Sequence, residues 1–247
     1  LFASTLKKVF LSGNAGSKMI IPNKGLSEVF CDKAVKVIEE KGNIHYSERV
    51  VELEFVNDRI TKVITNNRIY SDFDFLISAV PFFSLIKFYP SKSLLQFEKY
   101  FNYSPIVTVH LWLKENIFSK DFYGFLDSEI HWLFNHGAHI SLLTSNAVAL
   151  SQKTKKEILA IFQSELKAFF PNFDSENILS SIIIKEKRAG FLPTNKYENI
   201  RSQIKSDFSN LIFAGDWTNT GLPSTMEGAV KSGISAYAEV KKKINLQ

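Results

Sequence analysis

One cysteine, Cys31, is present in 247 residues. It excludes an intrachain disulfide and a Cys-based zinc cluster. No apolar run approaches the ~18 residues needed to cross a bilayer, and no signal-peptide pattern opens the chain, so a reducing cytosolic compartment is the default expectation. Glycine and proline are sparse, at 11 and 7 residues, and no low-complexity stretch or internal repeat is visible. Arginine is scarcer still: Arg49, Arg59, Arg68, Arg188 and Arg201 lie scattered along the chain. Nucleic-acid recognition usually needs a clustered basic stripe with aromatic platforms, so no nucleic-acid partner is expected. There is no G-x-S-x-G elbow and no G-x-G-x-x-G turn; Gly13 and Gly16 form the closest pair and lack a preceding strand.

What is abundant is phenylalanine, with 22 residues against 8 Tyr and 3 Trp. Hydrophobic residues make up 45% and charged residues 22%, which is globular usage. An aromatic surplus serves as core, as a greasy ligand site or as a membrane-facing patch, and composition alone favours core. The net charge of +5 is mild. Lys241-Lys242-Lys243 closes a predicted helix, where it complements the dipole; attraction to an anionic lipid surface is also compatible with it.

Periodicity predicts a mixed α/β chain. Leu26 to Lys41 reads as an amphipathic helix stopped by Gly42. Short β-type runs follow at Asn43–Ser47, Val50–Val56, Arg59–Thr65 and Arg68–Tyr70, with turns at Asn57-Asp58 and Asn66-Asn67. Phe73–Val80 is a continuous apolar run closed by Pro81, the pattern of a parallel strand buried on both faces. Strands are then predicted at Pro105–Leu113, Phe122–Leu126, Ile130–Phe134, Ile140–Ser145 and Ile178–Lys187, with a helix over Lys153–Phe170. A mostly polar stretch runs from Pro193 to about Asn210. Strand Leu211–Ala214, a loop and a helix from about Thr225 to Lys243 close the chain.

The segment LIFAGDWTNTGLPSTMEGAVKSGISA, Leu211–Ala236, carries the chemistry. Gly215 at a strand end lets a ligand approach the backbone, and Asp216 is placed to accept hydroxyl hydrogen bonds. Ser224 and Glu227 read as a capping box. Gly228/Ser232 and Ala229/Gly233 are small pairs four apart, which let a helix lie close to a sheet or a flat ligand. Taken singly, a turn glycine, a capping aspartate and packing residues explain each feature; their joint order points further.

That order resembles the flavin-dependent amine oxidase and phytoene desaturase superfamily, and the words AGDWTNTGLPSTMEGAVKSG are most similar to its hydroxysqualene dehydroxylase branch. Ile21-Pro22-Asn23-Lys24-Gly25-Leu26, Phe73–Pro81, Trp132-Leu133-Phe134-Asn135 and Lys185-Glu186-Lys187-Arg188-Ala189 are similar to other words of that branch. The resemblance implies FAD as cofactor, with Gly215 and Asp216 against the ribityl or phosphate linker. It implies backbone N–H groups of Met226, Glu227 and Gly228 at the flavin ring edge, and Val50 near the adenine. The implied fold is the C-terminal part of an FAD/NAD(P)-binding Rossmann-like lobe with an inserted antiparallel-sheet and helix substrate domain. Residues 1–15 are then the tail of a preceding segment, 16–82 part of the lobe, 83–199 the substrate-binding domain, and 200–247 the lobe's closing strand and helix.

The implied activity is an FAD-dependent oxidoreductase on a long apolar isoprenoid, converting hydroxysqualene to squalene. Alternatives are a carotenoid or phytoene desaturase, an amine oxidase-like flavoenzyme, or a non-catalytic isoprenoid-binding half. Without the phosphate-binding glycine turn, the sequence is expected to be the C-terminal portion of a longer enzyme, inactive alone and weak in FAD binding. The aromatic-rich segment, roughly Phe82–Phe191, is then expected to line an apolar tunnel, with aromatic faces such as Trp112, Phe118, Tyr123, Phe125 or Trp132 to stabilise a cation. His131, His136 and His139 cluster in sequence but lack the Cys or carboxylate spacing of a metal site. No catalytic residue is assigned.

Overall fold

The computed structural model describes every residue except 1, 12, 14–16, 19, 23, 246 and 247. Gly16, Asn23 and part of the 1–15 tail lie outside the described residues. The chain divides into two compact units, Leu1–Phe101 with Pro193–Gln247, and Asn102–Leu192. The positions 83 and 199 both fall inside the first unit. Within this unit Phe82 stacks on Phe101 at 3.9 Å, and Phe101 meets Tyr197 edge-on at 4.9 Å.

The first unit opens with α1 (Phe2–Leu11), α2 (Leu26–Phe30) and α3 (Asp32–Glu39). The single helix expected over Leu26–Lys41 is broken at Cys31, which ends α2 and caps α3. Neither piece buries a residue, so the amphipathic pattern lacks the tertiary contact that normally stabilises so short a helix. Asn43–Ser47 forms no strand. A three-stranded antiparallel meander follows: β1 (Val50–Val56), β2 (Arg59–Thr65) and β3 (Ile69–Tyr70). Asn57 turns β1 into β2 with φ of 55°, a left-handed conformation that Asn tolerates. Next come β4 (Leu76–Ser78), α4 (Phe82–Leu85) and α5 (Leu95–Glu98).

The second unit is one antiparallel sheet with helices on one face. Its elements are β5 (Tyr103–Leu113), β6 (Phe122–Gly124), β7 (Trp132–Asn135), β8 (His139–Ser145), α6 (Val148–Gln152), α7 (Lys155–Phe169) and β9 (Ile178–Phe191), with strand order β6-β7-β8-β5-β9. Thr154 starts α7 with a reciprocal capping box: its hydroxyl accepts from the Glu157 amide at 3.2 Å, and the Glu157 carboxylate accepts from the Thr154 amide at 2.7 Å. Val107, Val109 and Leu111 of β5 join Leu133, Ile140 and Leu142 against Ile158, Phe162 and Leu166 of α7. Each of these buried side chains contributes about 1.5–3 kcal/mol. Phe118, Tyr123, Phe125 and Phe170 pack on the same core.

The chain returns to the first unit with α8 (Asn195–Arg201), β10 (Leu211–Phe213) and α9 (Met226–Ile244). β10 pairs with β4 in parallel, Leu211 opposite Leu76 and Phe213 opposite Ser78. The parallel pairing matches the apolar run at 73–80, but Ile77 stays 45% exposed. Among the described residues this sheet has two strands, so it does not bury both faces of β4. Asn210, just before β10, joins the two sheets of this unit. Its buried side chain accepts from the Ile60 amide at 2.8 Å and donates to the Ile60 carbonyl at 2.9 Å.

Candidate functional site

The loop from Gly215 to Thr225 runs from β10 to α9 and is tied down at nearly every residue. Gly215 has φ of +130°, and a Cβ built there would lie 2.6 Å from the indole nitrogen of Trp217. The room left by the missing side chain is thus taken by the chain's own tryptophan rather than left open for a ligand. Trp217 is buried, donates from Nε1 to the Val80 carbonyl at 3.0 Å, and packs on Phe82 and Phe213. The Gly215 amide donates to the buried Ser232 hydroxyl of α9 at 2.7 Å, which fixes the helix against the strand end.

α8, absent from the sequence expectation, is the clamp on this loop. Tyr197 donates its hydroxyl to the Trp217 carbonyl at 2.6 Å. Arg201, only 1% exposed, spreads its guanidinium beneath the loop. It donates to the carbonyls of Asp216 (2.9 Å), Thr218 (3.0 Å) and Leu222 (2.9 Å), and to the Thr220 hydroxyl (3.1 Å). Glu198, one turn back on α8, supplies the counter-charge at 3.2 Å. A buried cation with this many acceptors suits arginine's planar fork and no other side chain. Pro193-Thr194 was the available signal: Thr194 caps α8 by accepting from the Tyr197 amide at 3.2 Å.

Asp216 is half-buried, and its carboxylate accepts a hydrogen bond from the Ser224 hydroxyl. The cap of α9 is therefore Thr225 and not Ser224: the Thr225 hydroxyl accepts from the Gly228 amide at 3.1 Å. The helix begins one residue later than the expected capping box requires, which leaves Gly228 rather than Glu227 at its third position. The Gly228 amide is thus already engaged, while Met226 and Glu227 occupy the exposed first turn. Gly228, Ser232 and Ala236 form the buried stripe of α9. The second small pair, Ala229 and Gly233, faces outward, as do Met226, Val230, Ile234 and Tyr237. Val50 lies apart from the loop in another sheet, where it opens β1 opposite Thr65.

In the second unit, the sheet face away from α7 carries an unusual set of side chains. One rung places His110 of β5 between Ser141 of β8 and Ile182 of β9; the next places Thr108 between Leu143 and Ile184. Trp132 stands opposite Leu143, and Trp112 opposite His139. The Trp112 and His139 rings stack at 5.2 Å, and His136 stacks on His139 at 4.6 Å. Burial, aided by the neighbouring histidines, holds His110 and His136 below the ordinary histidine pKa, so both favour the neutral form. Of the five aromatic residues named as cation-stabilising faces, Phe118, Tyr123 and Phe125 pack with the core, leaving Trp112 and Trp132 on this face. Among the described residues no group of three or more His, Cys, Asp and Glu side chains is placed to hold a metal ion.

The family model for flavin containing amine oxidoreductase matches residues 2–240. The chain belongs to this flavin amine oxidase family. It is 25% identical over 252 residues to a hydroxysqualene dehydroxylase of Sinorhizobium fredii, covering 96% of this chain and 56% of that protein. It is 24% identical over 256 residues to a 15-cis-phytoene desaturase of Solanum lycopersicum, covering 91% and 42%. A putative protoporphyrinogen oxidase from Exiguobacterium shares the fold with a TM-score of 0.68 at 12% identity, over 99% of this chain and 57% of that one. The chain thus spans about half the length of the relatives it matches. FAD is the cofactor that goes with the flavin amine oxidase family. The α/β architecture with an antiparallel insertion agrees with the expected fold class. No described helix is long and apolar enough to cross a membrane.

Proposed function

We propose that the chain forms part of an FAD-dependent oxidoreductase acting on a long isoprenoid, and that its reaction removes the hydroxyl of hydroxysqualene to give squalene. The observation that carries the reading is the rigid β10–Gly215–Asp216–α9 unit in a chain of the flavin family. The half-buried Asp216 carboxylate, already bonded by Ser224, presents acceptors suited to the hydroxyls of a ribityl chain. The first turn of α9, with Met226 and Glu227 ahead of the engaged Gly228 amide, offers the positive end of a helix dipole, which suits the anionic ring edge of a reduced flavin. These residues fit the polyol and ring side of FAD. The diphosphate side has no G-x-G-x-x-G turn in this sequence, and Val50, which opens β1, is the residue this reading puts near the adenine.

When bound in its reduced form, a flavin supplies hydride. The chain's own share is to orient the cofactor through Asp216 and the α9 terminus, and to hold the apolar substrate on the open sheet face of 102–192. That region is the substrate domain in this reading, and a membrane surface drawn to Lys241–Lys243 is the reservoir of the isoprenoid. Similarity to phytoene desaturases supports a second reading in which the flavin is reduced rather than oxidised.

Titrating FAD into the purified chain, followed by flavin fluorescence, tests the cofactor assignment. Weak binding is expected, and Asp216→Ala should weaken it about tenfold; an unchanged isotherm sinks the role of Asp216. Incubation with hydroxysqualene and a reductant, against phytoene and an oxidant, separates the two reactions.

A further inference from the structure

An antiparallel sheet with one face on a core ordinarily turns a polar face to water. The open face of the 102–192 sheet mixes its polar side chains with large exposed apolar ones. Trp132 is 37% exposed there and Ile182 51%, with Trp112 beside them. Apolar surface of this kind marks a covered or ligand-binding face.

Amid these apolar groups sits one directly bonded polar pair. His110 Nδ1 lies 2.9 Å from the hydroxyl of Ser141, its cross-strand neighbour. Ser141 is 5% exposed and His110 is half-buried. Whichever tautomer His110 adopts, a neutral imidazole and a hydroxyl that share one hydrogen bond retain one donor and two acceptors between them. An alcohol offers the matching donor and acceptor. A hydrocarbon laid over the same place would leave them unpaired in an apolar setting, at the cost of their desolvation. His139, stacked on Trp112 and 5.9 Å from His110, closes the pair on the β8 side.

We propose that His110 and Ser141 form a hydroxyl-recognising subsite for a long apolar alcohol lying on this sheet face. The proposal rests on the isoprenoid reading above and adds what that reading lacks: discrimination between the hydroxylated chain and its parent hydrocarbon.

The test uses the purified chain in detergent micelles, with hydroxysqualene and squalene as probes and tryptophan emission as the signal. Hydroxysqualene is expected to bind about tenfold more tightly, the effect of one well-placed hydrogen bond in an apolar setting. His110→Phe should erase most of that preference. Ser141→Ala should cut the preference about threefold, and it decides the matter should His110→Phe fail to fold. Equal affinity of the wild type for both probes overturns the subsite alone. A preference that survives in both variants does the same. Binding of neither probe overturns the subsite together with the isoprenoid reading.

Discussion

Replacing Arg201 with methionine is the sharpest perturbation of the loop that carries Asp216. Methionine keeps the length and the apolar stem but removes every donor. Two of the acceptors, the Leu222 carbonyl and the Thr220 hydroxyl, are buried with the guanidinium; the Asp216 and Thr218 carbonyls lie nearer the surface, where water can replace it. Hydrogen bonds from a charged donor are worth about 1.5–3 kcal/mol each, so the two buried acceptors set a loss of about 3–6 kcal/mol. The apolar side chain returns about 1–2 kcal/mol. A net destabilisation of about 2–4 kcal/mol follows, a large part of a total that is typically 5–15 kcal/mol. Arg201→Lys keeps the charge but not the fork, and should fall between the two. Glu198→Gln should cost under about 1 kcal/mol, since that carboxylate is partly exposed and the arginine retains its carbonyl acceptors. Urea unfolding read by Trp217 emission, with Trp112 and Trp132 changed to Phe, reports on this unit separately. A midpoint for Arg201→Met that matches the parent within 0.5 kcal/mol, on the order of experimental error, would refute the clamp.

Gly215→Ala combines a left-handed backbone with a Cβ driven into the Trp217 indole. About 2–5 kcal/mol of destabilisation is expected, together with a red shift of Trp217 emission as the ring is displaced from its buried seat. Stability should also fall in acid before the carboxylates titrate. His110 and His136 have folded pKa values below the ordinary 6.5, so the unfolded chain binds more protons near pH 6. Their contribution is present above about pH 6.5 and is lost as pH falls through the lowered folded values. Thermal midpoints measured from pH 8 to pH 5 should decline, and His110→Gln should flatten the curve; a wild-type profile already flat over that range contradicts the assignment. The carboxylates held low, Glu48, Glu157 and Asp207, act only below about pH 4.5, so the two windows are separable.

The local grammar of this chain was legible wherever one residue's neighbours in sequence are its neighbours in space. The β1–β2 hairpin follows from alternation around Asn57-Asp58, and α7 from its apolar stripe ahead of Pro171. The parallel pairing of β4 was legible in the apolar run at 73–80, but the burial of both faces that the run implies was not. Capping was legible in kind and misplaced in position. The motif Thr154-x-x-Glu157 forms the box, whereas Ser224 is drawn away to Asp216 and Thr225 takes over the cap. A competing tertiary hydrogen bond decided that, and no local pattern encodes it.

Periodicity by itself determined the α/β class and the strand–loop–helix that bears Asp216, and the resemblance of the words around Gly215-Asp216 pointed to the flavin family. Tertiary structure alone decided how that loop is held and which aromatic residues are free to meet a ligand. Arg201 is one of five scattered arginines until α8 folds beneath the loop and its fork meets three carbonyls from 216 to 222. Trp112 and Phe118 are equivalent aromatics in the sequence, and the pleat of β5 and the packing of α7 send one to the open face and the other to the core. The physical reason is the same in both cases. Burial and hydrogen-bond partnership depend on segments far apart in the chain, and a periodic pattern records which side a residue takes, not what waits there.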